Sequence, residues 1–452
     1  MASISIVSSN PKFSYVIRKN PETGMIAKGI RKGTMFGWYS KEKRNTDNTD
    51  SSTKEGIQKE NTTNTINQYN IYFQDDVEGI SFGREPDMEF EYIDTTRYNS
   101  PLILPTIMKE FFGSNLKEEP EEDIKSYNKI KITSIQINRK SVIDNLVRYF
   151  GDFKFRIEPL PHENEYYNYN NYSMEIESEN CTLHELINLV YMFSYIIAVM
   201  EGIKFSIDIS VIFKILKACN TLNSPYYFKY LVKSYMVHNQ EDFIKIKEEL
   251  NKSKDGTVYS FEPESNYWAR IHSIRPHMIG DNVIVDIGCG EGNLVRTAER
   301  ITKTYYAIDR DETCRNKVLR KVEKYKLDNV QVLSDVEEFF DIGETEKFTV
   351  VMSEVFEHNE LSYTTGLISK LFSKDNCDKI IITTPNKDFN KYYLMSDDEK
   401  RHKDHLFEMT TMEFVEYFNT IGTELGIKVR YYEVGDKVNG IPTTMMVILK
   451  RE

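Results

Sequence analysis

The stretch NVIVDIGCGEGN (282–293) decides how the second half of this chain folds. A run of apolar, β-branched residues ends in Asp286-Ile287-Gly288-Cys289-Gly290-Glu291-Gly292, with a glycine at every second position. A buried strand that stops at closely spaced glycines predicts a strand, a tight turn and a following helix. Outward from it, TYYAIDR (304–310), VQVLS (330–334), FTVVMSE (348–354), KIIITTP (379–385), KVRYYEV (428–434) and TTMMVILK (443–450) read as strands. Helical patterns separate the earlier ones. Such alternation predicts an α/β fold with a doubly wound, mostly parallel, seven-stranded sheet. The last two strands, joined through Gly435 and Gly440, read as an antiparallel addition.

Ligands of such sheets bind beyond the C-terminal ends of the strands. Glycines there let the backbone turn tightly and approach a ligand closely. A lone glycine loop also occurs as a plain turn in any α/β protein, and a dinucleotide fingerprint would need glycine where Asn293 stands. The spacing G-x-G-x-G behind an acid instead resembles class I S-adenosylmethionine methyltransferases, a Rossmann-like fold. That resemblance implies a cofactor site at Asp286, Gly288 and Gly290, with Asp309 accepting the hydroxyls of the adenosine ribose and Asp335 at the adenine edge.

The fourth strand runs into Glu354-Val-Phe-Glu357-His358. The spacing i, i+3, i+4 predicts that the three side chains share one face of a helix start. Two carboxylates and an imidazole suit magnesium or manganese. A solvated helix start with acids at its N-terminus is the plainer reading, and small-molecule methyltransferases carry similar strings. Further on, Arg401-His402-Lys403-Asp404-His405-Leu406-Phe407-Glu408 holds two of the eight histidines, on a loop that returns to the same sheet edge. Either of them could complete a metal site.

At DIGCGEGNLV, EVFEH, TTPNKDFN and RHKDHLFEMT the chain resembles the bacterial Hen family of RNA 3′-terminal ribose 2′-O-methyltransferases. The resemblance covers the second half and reaches into the first, at YNIYFQDDVEGISF, SPLILPTIMKEFFG and the helical region 182–236. It implies that Glu354, Glu357, His358 and His405 hold magnesium or manganese and are the catalytic set, with His402 a neighbour. One departure is Met409, where the family often has Trp. It also implies that the first half binds a bacterial polynucleotide kinase–phosphatase–ligase, with methylation marking a cleaved RNA such as a tRNA before sealing.

The chemistry expected from these parts is consistent. A ribose hydroxyl is a poor nucleophile at neutral pH, and a bound divalent cation lowers its pKa and orients it. Recognition of a free 2′,3′-diol would select an RNA end without reading sequence. Two other readings share the motifs: a catechol-like small-molecule O-methyltransferase, and a scaffold that mainly activates the ligase.

The first half reads differently. Residues 1–40, 69–83 and 127–158 have strand-and-turn patterns, with short helices at 98–113 and 140–152. From Thr182 to Met236 the pattern is helical, so an α+β domain with a helical end is expected over 1–240. The charged stretch 241–257 reads as a linker and 258–452 as the methyltransferase-like domain. Residues 41–70 and 162–173 are polar and read as loops, the first a flexible insertion.

Composition narrows the possibilities. The chain has 452 residues, 40% hydrophobic and 28% charged, with a net charge of −12. Residues 258–452 carry 26 basic against 34 acidic residues. Bulk attraction to nucleic acid is therefore excluded and any RNA must be held locally, with Lys387, Lys391, Lys400, Arg401 and Lys403 as candidate phosphate contacts. Five cysteines without a C-x-x-C pair argue against disulfides and a zinc ribbon. The first residues do not read as a signal peptide, and the longest apolar run, 189–200, is too short for a bilayer. A cytoplasmic protein without membrane contact is expected.

Overall fold

The computed structural model describes residues 2–30, 33–42, 66–75, 96–161, 170–203, 205, 207–280, 282–301 and 303–451. Most of the expected 41–70 insertion, the segment 76–83 and most of the loop 162–173 lie outside the described residues. The chain divides into two units, Met1–His238 and Asn239–Glu452.

The first unit is built on an antiparallel sheet. Its strands are β1 Ala2–Ser8, β2 Ile26–Ile30, β3 Gly33–Glu42, β4 Ile66–Asp75, β5 Ser126–Gln136, β6 Lys154–Pro159 and β7 Asn171–Cys181. Their order is β2-β3-β4-β1-β5-β7-β6. Ile4 and Ile6 pair with Ile132 and Ile130 across β1 and β5, and all four are buried. The helical end is three helices, Leu183–Met200, Ile209–Thr221 and Tyr226–Met236. Thr182 and Glu185 form a reciprocal capping box that starts the first. By length and apolarity that helix could cross a membrane, but 78% of it is buried, as in the core helix of a folded domain.

The second unit holds the parallel strands expected from 282–385. They are β9 Val283–Ile287, β10 Tyr305–Ile308, β11 Val330–Leu333, β12 Phe348–Ser353 and β13 Cys377–Pro385. β14 Lys428–Val438 and β15 Ile441–Lys450 add the antiparallel edge. The sheet has eight strands, not seven: β8 Tyr259–Ser260 pairs with the end of β14, giving the order β11-β10-β9-β12-β13-β15-β14-β8. Two residues carry no readable alternation, so β8 left no signal in the sequence.

All residues of β9 are buried, as a strand covered on both faces requires. Val283, Val285 and Ile287 enter one core with Val350, Met352, Ile380 and Ile382. Ile284 enters the other with Ala307, Val351, Ile381 and helix residues Ile271, Ile274 and Met278. Where a linker is expected over 241–257, the chain forms the helix Gln240–Asn251. Its Phe243, Ile246 and Leu250 are buried, three and four residues apart, so the charged surface of this segment masks an apolar stripe.

The connections run from β9 outward to β10 and β11 and then return to β12 beside β9. The order of strands therefore reverses between β9 and β12, where open α/β sheets form their crevice.

Candidate active site

The glycine loop and the acidic turn meet at that crevice. Gly288 lies at φ +69°, and a Cβ added there would collide with Val355 of the turn after β12. Gly290, also left-handed, would point a Cβ into open space. Its N–H donates to Asp309 Oδ2 at 2.7 Å, which ties the loop to the end of β10. A cavity of about 370 Å³ opens here, walled by Gly288, Asp309, Asp335, Glu354, His358 and Tyr363 among others.

Three of the five expected cofactor residues thus line one cavity. Asp335 also caps the helix Val336–Ile342 by accepting from the N–H groups of Glu337 and Glu338. Asp286 and Gly290 are not among its walls. The Asp286 carboxylate is 2% exposed and accepts a 2.5 Å hydrogen bond from Tyr305 Oη. Burial pushes its pKa up to about 7, against the Tyr305 hydrogen bond and with the help of Asp309. Strand alternation turns Asp286 toward the same face as Ile284, away from that of Ile287.

The acidic turn is not the expected helix start. Glu354 sits at φ +57°, a left-handed conformation that is uncommon for a side-chain-bearing residue. Only Phe356–His358 is helical, as a single 3₁₀ turn. The residues converge because the chain reverses at Glu354, whose N–H donates to Thr383 O at 3.1 Å.

Glu357, His358 and His405 come together, with one ligand atom of each within 4.8 Å of the others. Glu357 is fully buried. Its Oε2 accepts from Thr384 Oγ1 at 3.0 Å, and its Oε1 has no partner. Burial first, and then the charge of Glu354, push its carboxyl well above the usual range. Glu354 is not part of this tight cluster. Its Oε2 pairs with Arg270 at 2.8 Å, while its buried Oε1 also lacks a partner. Burial and the adjacent His405 hold the His358 pKa below that of a free imidazole.

His405 is placed by a loop tied down at several points. Leu406 N–H donates to Glu357 O at 2.8 Å, and Lys400 Nζ donates to the carbonyls of His405 and Leu406. Arg401 donates to Asn386 O, Thr443 O and Asn390 Oδ1. These two cations, expected at RNA phosphates, serve the loop instead. His405 Nδ1 bonds Glu408 Oε1 at 2.6 Å, which leaves Nε2 4.0 Å from Glu357 Oε1. Burial works against the Glu408 charge, but hydrogen bonds from Asn390, His405 and the Arg401 backbone outweigh it and lower the pKa. A carboxylate that orients an imidazole in this way is a common companion of metal-ligating histidines.

Sequence reasoning did not single out Arg270, Thr384 or Glu408. Glu408 carried a signal, three residues after His405 in the quoted motif. Arg270 carried none, because its partner lies on a distant strand end. His402 is exposed, with its ring 5.8 Å from that of His405. Met409 is buried in the core beneath the site.

A Rossmann-like sheet with this strand order, glycine loop and strand-end acids is the class I methyltransferase fold. The profile of the Hen1 N-terminal domain matches residues 3–255, and the chain, with its two units, belongs to the Hen1 family. It is similar to a chain in the structure of the Pnkp1/Rnl/Hen1 RNA repair complex, with 24% identity and a TM-score of 0.75 over 99% of this chain and 100% of that one. A second structure of the Pnkp1/Rnl/Hen1 complex gives 23% identity and a TM-score of 0.74 over 100% of both chains. Among curated proteins, 52 residues are 33% identical to a probable cobalt-precorrin-6B C(15)-methyltransferase of Methanococcus maripaludis. That segment is 12% of this chain and spans only 29% of the relative.

Proposed function

We propose that this protein transfers a methyl group from S-adenosylmethionine to the 2′-oxygen of the 3′-terminal ribose of RNA, with a divalent cation, magnesium or manganese, in the site. The observation that carries the reading is the junction of two features. Glu354 and His358 belong to the acidic turn and also wall the cavity that Gly288, Asp309 and Asp335 line. A cofactor-type cavity and a carboxylate–imidazole cluster therefore share one mouth.

The residues fit both groups. Gly288, where a side chain would meet Val355, leaves room for close approach, and Asp309 and Asp335 on the cavity wall would offer carboxylates to a ribose and a purine edge. Glu354 and Glu357 each keep a buried oxygen without a partner, and His358 and His405 add nitrogen donors, a set suited to magnesium or manganese. Bound there, S-adenosylmethionine supplies an electrophilic methyl group and the cation supplies a charge that lowers the pKa of a hydroxyl. Glu408 holds the His405 ring with Nε2 toward Glu357. His358, kept neutral by its surroundings, has a lone pair for a proton or a cation. An imidazole of this pair that the cation does not engage would take the ribose hydroxyl proton as the 2′-oxygen bonds to the methyl carbon and the sulfonium sulfur–methyl bond breaks, leaving S-adenosylhomocysteine. Positioning of the terminal ribose contributes much of the rate.

Likeness along the whole chain to the repair-complex protein supports a matching role here. The first unit would bind a kinase–phosphatase–ligase, and the RNA would be a broken end awaiting sealing. The reaction would run in the cytoplasm, which suits five unpaired cysteines.

The test is transfer from labelled S-adenosylmethionine to short RNAs ending in a diol, a 2′-deoxyribose or a 3′-phosphate, with Mn²⁺ or EDTA, and with catechol as a control. Transfer to the diol alone, lost in EDTA and in Glu357→Ala and His405→Ala, is expected. Equal transfer to the deoxy end, or to catechol, would sink the reading. Failure of the full chain to retain the kinase–phosphatase–ligase at micromolar concentration would remove the partner.

A further inference from the structure

A second cavity, of about 500 Å³, opens on the other side of the glycine loop. It lies among the helix Asn266–Met278, the 3₁₀ segment Val295–Arg300 and the helix Glu312–Tyr325. Its volume is in the range of small-molecule sites, about 300–1,000 Å³. Gly288, Asp309, Asp335 and the acidic turn take no part in its walls, so the cofactor role of the first cavity does not explain it.

Its charge runs against that of the chain. Arg275, Arg296, Arg300 and Lys321 line it against a single acid, Glu299. Two of these cations are engaged: Arg296 Nε pairs with Glu299 at 3.1 Å, and Lys321 Nζ donates to Glu291 O at 2.6 Å. Among the described residues, the guanidinium groups of Arg275 and Arg300 have no hydrogen bond or ion pair. Arg275 Nε is buried without a partner. So is Thr297 Oγ1, on a side chain only 3% exposed. Buried polar groups normally find partners, and an orphaned hydroxyl on the wall of the same cavity as guanidinium groups without a partner among the described residues marks a place for an acceptor such as a phosphate oxygen.

The rim is aromatic. Tyr267 and Trp268 meet edge to face at 5.2 Å, and Trp268 is 46% exposed. Cations in a groove with exposed aromatic faces are the usual means of holding single-stranded nucleic acid. The two cavities are also neighbours. The Arg270 guanidinium lies over the Tyr267 ring at 5.6 Å and pairs with Glu354, a wall of the first cavity.

We infer that this cavity binds a nucleotide of the RNA upstream of the terminal ribose, with its phosphate on Arg275 and Arg300 and its base against Trp268 or Tyr267. The inference rests on the RNA substrate proposed above and adds where the rest of that RNA is held.

The chain has two tryptophans, Trp38 and Trp268, so Trp38→Phe leaves Trp268 as the sole indole reporter. Its quenching by a single-stranded RNA dodecamer is followed in the full chain without S-adenosylmethionine, over a range of salt. Saturable quenching is expected. The Arg275→Ala/Arg300→Ala variant should bind about tenfold or more weaker, with a salt slope reduced by about two. The KM for the dodecamer in methyl transfer should rise by a similar factor. Arg275→Lys/Arg300→Lys, which keeps the charge, should recover part of the affinity, and matching melting curves show that the variants fold. Unchanged affinity and salt slope in the Ala variant, or quenching by inorganic phosphate or AMP as strong as by RNA, overturns the inference. If wild type quenches but methylates no RNA, the proposed reaction fails and the nucleotide site stands. If it methylates RNA without quenching, the reverse holds.

Discussion

Glu357 gives the sharpest test, because its roles in stability and in function have opposite signs. Its side chain is fully buried, Oε1 has no partner and Glu354 adds a second negative charge nearby. A buried polar atom left unsatisfied costs about 1–3 kcal/mol. Glu357→Gln keeps the shape and the Thr384 hydrogen bond, and it places a neutral amide 4.0 Å from His405 Nε2 in place of an ionisable carboxyl group beside Glu354. In EDTA the variant should therefore be more stable than wild type by about 1–3 kcal/mol. For a unit of this size that is roughly 2–4 °C of melting temperature per kcal/mol. With manganese at 100 times its Kd, wild type should gain about 2.7 kcal/mol and the variant little of it. The sign of the pH effect follows from the raised carboxyl. The folded chain keeps a proton that the unfolded chain releases, so metal-free wild type loses stability as pH rises above the ordinary glutamate range. Glu357→Gln lacks that loss. The assay is urea denaturation read from Trp268 in a Trp38→Phe background, which reports the second unit alone. Destabilisation of the variant by more than about 1 kcal/mol in EDTA, or full retention of the manganese effect, would refute a ligand role for Glu357.

Other consequences follow from neighbouring residues. Gly288→Ala meets a left-handed backbone, about 1–2 kcal/mol for a residue with a Cβ, and a collision with Val355. Adding Val355→Ala should recover the steric part in a denaturation cycle, and no recovery would mean that the two loops do not touch. Asp286, raised to about 7 from an ordinary 3.8, withdraws stability as pH climbs between those values, at most about 4 kcal/mol. Asp286→Asn should flatten that window, and parallel pH profiles of the two proteins would contradict it. Arg401→Met removes three hydrogen bonds from a charged donor, each about 1.5–3 kcal/mol and not additive. Hydrogen exchange should rise over 386–408 before it rises in β12, and unchanged exchange would show that the loop is held elsewhere.

The sheet was legible because its strands are short, apolar and bounded by glycine, proline or acid, as in NVIVDIG and KIIITTP. The strand ends that follow, Gly288, Asp309 and Asp335, could be placed on one edge for the same reason. Three things were not legible. The two-residue strand at Tyr259–Ser260 is too short to alternate. The helix Gln240–Asn251 hides three buried residues among charges that dominate its composition. The acidic turn shows the limit most clearly. Spacing alone assigned Glu354, Glu357 and His358 to a helix face, yet they converge through a left-handed residue and one 3₁₀ turn. Periodicity rules describe regular backbone, and a site built where the chain reverses departs from them.

Net charge posed the same problem on a larger scale. An acidic half-chain argues against RNA when charge is summed, but binding is governed by charge that is local and unpaired. Much of the basic charge near the acidic turn is taken up in holding it: Arg270 by Glu354, and Lys400 and Arg401 by backbone carbonyls. Two guanidinium groups without a hydrogen bond or ion pair among the described residues, Arg275 and Arg300, lie instead in the second cavity with the exposed Trp268, on residues that no motif marked. A protein that recognises one end of an RNA needs only a few such contacts. On the proposed reading, overall acidity would weaken attachment to the phosphate backbone of intact RNA and leave the contacts near the end to select the substrate.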